Sequence, residues 1–422
     1  MNRGFYTIMA AQFFSSLADN ALLIVAISVL VSLQAPAWMT PMLKLFFVMS
    51  YVILAPFVGA FADAFPKGRV MFITNLVKIT GCLMMFFSVH PLLAYAVVGF
   101  GAAAYSPAKY GILTELLPAE KLVAANGWIE GLTVLSIIFG TVLGGVLVSE
   151  RLAQALAFLV PFNHLQLSLS LEFALGVVML AYVLAAVFNL NIPDTGARYA
   201  AQKRHPIKLV VEFSECFTAL WRDRLGQISL AVTSLFWGAG ATLQFIVLKW
   251  AEKALNLPLA KGAVLQGVVA FGVAFGAMAA AKRVPLKKSL TVMPIGFLMG
   301  LIVTIMVFVY STTLAYPLLV LIGALSGFFV VPMNALLQHR GHVLMSAGHS
   351  IAVQNFSENA SILLMLGLYA LLVKLDLSVN IVIVLFGLSV SGVMWMVMKK
   401  HAANQREYDS LHLIGEEKHV GT

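Results

Sequence analysis

Long apolar runs alternate with short polar breaks along this chain. A helix that crosses a bilayer needs roughly 20 mainly apolar residues. Twelve stretches reach that length, at about 6–31, 43–62, 70–89, 91–112, 126–148, 171–192, 226–250, 263–281, 290–311, 314–336, 349–373 and 379–398. Each is expected to be a helix, because a helix satisfies its own backbone hydrogen bonds where lipid offers no partner. Spans 4, 5 and 10 carry Gly, Pro and polar residues, so their limits are the least sharply marked.

The longest polar stretch, 193–225, reads PDTGARYAAQKRHPIKLVVEFSECFTALWRDRL. It is basic and partly amphipathic, and it separates six spans from six more. A shift of about 225 residues lays Pro107 of span 4 on Pro332 of span 10, and Asp19 of span 1 on Gln244 of span 7. A shift of about 228 lays Glu130 of span 5 on Glu358 of span 11. A nearly constant shift points to two parallel six-helix halves, the signature of a facilitator architecture. The expected organisation is an all-α membrane protein with one half at 1–192, a cytoplasmic linker at 193–225, a second half at 226–398 and a cytoplasmic tail at 399–422.

Composition agrees. The chain is 61% hydrophobic and 11% charged, against about 45–50% and about 25% in soluble domains. The net charge of +9 would suit nucleic acid, but its distribution argues otherwise. With the N-terminus in the cytoplasm, 20 Lys and Arg residues fall inside, Lys203, Arg204 and Lys418 among them, and 6 outside. That asymmetry is a topology signal. It places both termini in the cytoplasm and removes the case for nucleic acid. The first apolar run is too long for a cleavable signal peptide and no small-residue cleavage site follows it. Cys82 and Cys216 are expected to be reduced, and neither has metal-ligand spacing. No metal or cofactor is expected, and no phosphate-loop motif supports ATP-driven transport.

Ionisable residues inside a bilayer cost about 2.5–3.5 kcal/mol on insertion scales and usually face a wet cavity or a partner. Asp19, Lys78, Glu130 and Glu358 lie in spans 1, 3, 5 and 11, and Lys109 lies toward the cytoplasmic end of span 4. They sit on polar stripes at helical spacing. Gln12, Ser15, Ser16 and Asp19 share one face, Asn126, Glu130 and Thr133 a second, and Gln354, Glu358 and Ser361 a third, with Asn355 and Asn359 beside it. In a facilitator fold the stripes of spans 1, 5 and 11 would converge on one polar pocket. Structural readings compete. Glu130 and Glu358 lie near cytoplasmic helix starts, where the dipole favours an acid. Lys78 would serve as an internal ion-pair partner, and Lys109 would snorkel to the headgroups. Asp19 is deepest and has no helix end nearby.

Gly140-x-x-x-Gly144 in span 5 and Gly272-x-x-x-Gly276 in span 8 permit close helix approach. They suggest either ordinary packing or a seam between spans 5 and 8 that parts to admit a lipid tail. After span 2, GAFADAFPKGRV resembles the facilitator pattern G-x-x-x-D-x-x-G-R-R at Gly59, Asp63, Lys67 and Arg69. Pro66 stands where Gly is usual and Gly68 interrupts the basic pair. In that family the loop is a cytoplasmic latch between halves. Here Asp63 is expected to cap a helix start or pair with a basic residue.

More specific stretches carry a second resemblance. SSLADNALL, GAAAYSPAKYGILTEL, TSLFWGAGATLQF, GFFVVPMNALLQHRG and AVQNFSENASILLMLG resemble the bacterial lysophospholipid transporters of the major facilitator superfamily, from about residue 8 to 398. The resemblance implies transport of lysophosphatidylethanolamine and lysophosphatidylglycerol across the inner membrane to its cytoplasmic face. There a separate acyl-carrier-protein-dependent acyltransferase restores the second chain. It implies a multi-pass monomer without catalytic residues. Asp19 and Asn20 would belong to the headgroup cavity or its gating pair, and Lys109 would meet the lipid phosphate as a point charge. Family members are expected to carry arginine at the position of Gln244, so an Asp19–Arg gate becomes here a hydrogen bond without opposite charge. Asp19 would then be protonated, pair with Lys78 or hold a cation.

Other readings differ in class. A proton-coupled efflux carrier would use Asp19 or Glu130. A membrane acyltransferase would need His-x-x-x-x-Asp, and none of the nine His has Asp five residues on; the 24 residues after Met398 are too few for such a domain. A passive receptor or anchor would have no use for buried charges.

Overall fold

The computed structural model describes residues 3–36, 38–159, 169–199 and 205–416. Lys203, Arg204 and Lys418, counted above as cytoplasmic cations, lie outside them, as do parts of the linker and the tail. In chain order the helices are α1 (Arg3–Ser32), α2 (Met39–Ala64), α3 (Lys67–Phe86), α4 (Pro91–Leu116), α5 (Leu122–Leu147), α6 (Glu150–Leu159), α7 (Leu169–Leu190), α8 (Pro206–Arg222), α9 (Gly226–Lys253), α10 (Leu259–Arg283), α11 (Met293–Thr304), α12 (Thr312–Leu344), α13 (Ala347–Lys374) and α14 (Val379–Glu407). Short 3-10 turns extend α11 at both ends. Among the described residues, twelve helices are long and apolar enough to cross a membrane, all but α6 and α8. Large apolar side chains such as Phe100, Leu180, Phe271 and Phe308 are exposed, as a lipid-facing surface requires and an aqueous one does not.

Several helices run further than their apolar stretches. α12 continues past Phe329 through Gln338, His339 and Arg340 to Leu344, and α14 continues to Glu407. Apolarity marks the hydrocarbon layer, whereas a helix continues as long as its polar side chains find partners. Gln338 exchanges two hydrogen bonds with Asn126, at 2.8 and 3.0 Å. Arg340 forms a bidentate pair with Asp223, at 2.7 and 3.2 Å. Pro107 and Pro332 both lie inside long helices, α4 and α12, where neighbouring helices compensate the lost backbone bond.

The chain forms two compact units. One comprises Met1–Leu116, Leu135–Phe213 and Ala347–Ala352; the other comprises Leu117–Val134, Ser214–Ser346 and Val353–Thr422. The two use the same internal pairing. In the first, α1 and α3 pack on α7, and α2 packs on α4. In the second, α9 and α11 pack on α14, and α10 packs on α12. The core of the first unit joins Ala18, Leu22 and Val25 of α1 to Val98 of α4 and Val178 and Tyr182 of α7.

The glycine pairs have partners other than those expected. Gly272 of α10 meets Gly323 of α12 in the same unit, while Gly276 faces Ala324 and Gly327 of α12 faces Val273 and Ala277. A Cβ on Gly276 would strike the Ala324 carbonyl, and one on Gly327 the Val273 carbonyl. Gly140 and Gly144 of α5 lie on α1, where a Cβ on Gly144 would sit 2.9 Å from the Ala21 carbonyl oxygen. Of the two readings of these glycine pairs, the contacts are those of ordinary helix packing, each pair within its own unit. Gly127 of α5 lies against Ala277 and Ala281 of α10. Spacing identifies a helix face that admits a backbone, but not which backbone arrives.

Overpacking a tight core costs about 1–3 kcal/mol. Gly276→Leu is expected to lower the thermal midpoint of the detergent-solubilised protein by several degrees. Gly267→Ala, at a site with open space, is expected to leave it within about a degree. Equal midpoints for the two variants would contradict the α10–α12 seam.

Candidate functional site

The polar stripe of α1 meets α3 and α7 within the first unit. Asp19 Oδ2 pairs with Lys78 Nζ at 2.8 Å. Its other oxygen accepts the Tyr182 hydroxyl at 2.6 Å. Lys78 also donates to Ser15 Oγ at 3.0 Å, and Ser15 donates to Asn75 Oδ1 at 2.9 Å. The Lys78 ammonium lies 5.0 Å from the Tyr105 ring centroid and 5.6 Å from that of Tyr182, within cation–π range. So Asp19 has an opposite charge and a hydroxyl donor in a layer where a lone carboxylate would be costly. The two ends of the pair differ: the Lys78 side chain is 2% exposed and that of Asp19 20%. The cation is sealed while the carboxylate reaches an accessible surface. Asn20, one residue on, folds its amide back onto the Ser16 carbonyl at 2.8 Å.

Of the three resolutions open for Asp19, the structure contains the pair with Lys78. Tyr182 and Tyr105 were not among the sequence candidates. A single tyrosine in an apolar run looks like any interior aromatic, and only the fold aims its hydroxyl.

In the second unit the stripe of α13 forms its own network. Gln354 donates to Glu358 Oε1 at 2.8 Å and to Asn334 Oδ1 at 3.2 Å. Asn355 is buried, and its carbonyl accepts from Asn359 at 2.8 Å. Glu130 is buried in α5, one turn beyond the Asn126–Gln338 pair. The helix-dipole explanation weakens for both acids. Glu130 lies eight residues into α5 and Glu358 eleven into α13, and the end effect fades within the first turn. Gln244 is exposed on α9, and its carbonyl accepts from Gln266 at 2.9 Å. Lys109 is half-buried beside Pro107, with its ammonium 4.0 Å from the Tyr110 ring centroid.

The end of α2 and the start of α3 form the third cluster, inside the first unit. Asp63 accepts the backbone N–H groups of Gly348 and His349, at 2.9 and 3.2 Å, capping the start of α13. It also pairs with Lys67 at 2.6 Å and faces His349 Nδ1 at 3.0 Å. Both expected roles of Asp63, cap and ion pair, are combined in one carboxylate. Lys67 lies 3.4 Å from Glu115 and donates to the Ala62 carbonyl at 2.8 Å. Glu115 in turn accepts from Thr195 at 2.7 Å and Tyr199 at 2.8 Å. Gly59 eases the close approach there, because a Cβ would stand 3.0 Å from the His349 Cα. Arg69 is exposed and lines a cavity of about 330 Å³ with Lys67, Glu115, Arg198 and Tyr199. On its rim, hydrogen bonds from Arg198 and from the Gly196 N–H hold the Asp194 carboxyl down at about 2. Burial, and then the Glu115 charge, push the Tyr199 hydroxyl above its usual range.

Twelve spanning helices in two like-paired units, with partnered charges inside the hydrocarbon layer, define a multi-pass membrane transporter of the facilitator class. The comparisons agree. The Major Facilitator Superfamily model matches residues 8–365. A bacterial homologue of the iron transporter ferroportin, in an outward-facing state, superposes with a TM-score of 0.70 at 14% identity, covering 95% of this chain and 100% of that one. FucP in the outward conformation gives 0.71 at 13% identity, over 94% and 98%. At such identities these structures speak for the fold alone. Curated relatives are much nearer in sequence. The lysophospholipid transporter LplT of Yersinia enterocolitica is 44% identical over 380 residues, 90% of this chain and 89% of that protein. That of Pectobacterium carotovorum is 43% identical over the same shares. The chain belongs to the lysophospholipid transporters of the Major Facilitator Superfamily, multi-pass proteins of the bacterial inner membrane.

Removing one partner of a buried ion pair costs about 3–5 kcal/mol, whereas removing both is often milder. Lys78→Met and Asp19→Asn are each expected to lower the thermal midpoint, and the double variant to recover part of the loss. Additive losses in a double-mutant cycle would show that the two residues are not coupled.

Proposed function

We propose that this chain carries lysophospholipids, such as lysophosphatidylethanolamine and lysophosphatidylglycerol, across the bacterial inner membrane to its cytoplasmic face. The observation that carries the reading is 44% identity, over nine tenths of the chain, to proteins named as lysophospholipid transporters. The chain acts as a carrier and not as an enzyme. It works as a monomer, and a separate acyl-carrier-protein-dependent acyltransferase at the cytoplasmic face takes up the delivered lipid. Its halves are 1–192 and 226–398, joined by the linker 193–225 and followed by the tail 399–422; the repeated helix pairing supports that division.

The unequal exposure of the charges suggests a division of roles. Lys78 is sealed, so its task is to hold the Asp19 carboxyl in place and orient it. The accessible edge of Asp19, with Asn20 beside it, suits the amine of an ethanolamine headgroup. Lys109 is only half-buried, and it offers the phosphate a point charge. Glu130, Glu358, Asn355 and Gln244 are assigned to the polar lining and gate on the second unit. Gln244 supplies a neutral donor where relatives are expected to have a cation. Gly59, Asp63, Lys67 and Arg69 form the cytoplasmic latch, which the capped start of α13 supports.

The test is transfer of labelled lysophosphatidylethanolamine across spheroplast membranes by wild type, Asp19→Ala and Lys109→Ala at matched expression. Wild type is expected to transfer the lipid and each variant to lose at least tenfold. A well-expressed wild type without transfer would turn the reading toward efflux. Transfer that survives both substitutions would keep the substrate and discard these residues.

A further inference from the structure

The linker helix α8 has no place among the spanning helices, and its side chains sort into three stripes. At 100° per residue, Leu209, Phe213, Cys216, Phe217 and Leu220 fall together. This stripe is turned into the protein: Phe213 and Leu220 are buried, and the Phe217 ring meets Phe356 of α13 edge-on at 5.9 Å. Lys208, Glu212, Glu215, Ala219 and Arg222 make a second stripe, exposed except at the half-buried Glu212. Ile207, Val210, Val211, Ser214, Thr218 and Trp221 make the third. It is apolar yet open: Ile207 is 69% exposed, Val210 and Val211 nearly half, and Trp221 38%. A helix on a water-soluble surface needs one apolar stripe, and α8 has two.

We propose that the second apolar stripe of α8 is seated in the cytoplasmic leaflet of the membrane, among anionic phospholipids. Three observations choose lipid over protein as its cover. First, α8 is tethered to the bilayer. Only residues 223–225 separate it from the spanning helix α9, four Cα steps or roughly 14 Å at full stretch. That turn is fixed, because Asp223 accepts the Gly226 N–H at 2.7 Å and pairs with Arg340. Second, the charged stripe lies on the side opposite the two apolar ones, the order required of a helix at an interface: protein, hydrocarbon and water each meet one stripe. Third, Trp221 and the exposed α8 cations Lys208 and Arg222 are the residue types that settle at headgroup depth and favour anionic lipid. The proposal depends on the chain spanning a membrane and not on the lysophospholipid reading.

The experiment uses the full transporter reconstituted into phosphatidylethanolamine–phosphatidylglycerol vesicles. Cys216 is replaced by Ser, and the buried Cys82 is kept. A single environment-sensitive fluorophore is placed through Val210→Cys, Thr218→Cys or Glu215→Cys. Labels at 210 and 218 are expected to emit at shorter wavelength and to be quenched several-fold more by acyl-chain nitroxide lipids than by iodide. The label at 215 is expected to show the reverse. Iodide quenching at all three positions would overturn the proposal by placing the stripe in water. Protection of 210 and 218 from both quenchers would overturn it by showing a protein cover, and loss of that protection on dilution with lipid would identify a second copy of the chain.

Discussion

A charge in hydrocarbon must find its partner inside the protein, because no water is there to serve. Much of this architecture follows from that constraint. Lys78 is buried to its ammonium, and α1, α3 and α7 are held in register by what it touches: Asp19, Ser15 and the ring of Tyr182. The apolar side chains around them contribute little to register, since lipid tails are as apolar as leucine. A polar group with one acceptable partner position specifies an arrangement that dispersion alone leaves loose. The same logic holds α12 to α5 through Asn126 and Gln338, and α12 to the start of α9 through Arg340 and Asp223.

Close packing supplies what the polar contacts do not. Glycines on α10 and α12 bring two backbones together along the second unit, and glycines on α5 seat it against α1. Such seams are rigid, because their contacts are backbone against backbone. The ionic clusters hold by other means, with several polar partners gathered on one group. Asp63 illustrates the point: it binds a lysine, a histidine and two backbone N–H groups at once. A carboxylate with four partners holds firmly while all are present, and its hold weakens stepwise as they are withdrawn.

Within the candidate site, ionisable character was legible and partnership was not. Asp19, Lys78, Glu130 and Glu358 stand out because they interrupt apolar runs. That Asp19 meets Lys78 was one of three options open to a reader of the residues, and the tyrosine that completes the site was invisible among other aromatics. Glu358 looked like a helix-end acid. The start of α13 is instead capped by Asp63, from the last turn of α2 nearly three hundred residues earlier in the chain, and Glu358 lies three turns further in, bonded to Gln354.

The sequence by itself determined the membrane class and the number of spans, and it pointed to the repeat. Those properties rest on local quantities: the length of an apolar run and the spacing between similar residues. A bilayer reads such quantities one segment at a time. Tertiary structure alone decided which helix faces which, and so which charge is neutralised by which partner. Spacing four between glycines makes a flat face but does not name its neighbour, and a lysine in a span demands a counter-charge without choosing one. The choice belongs to the whole arrangement, because a helix must satisfy all of its contacts at the same time.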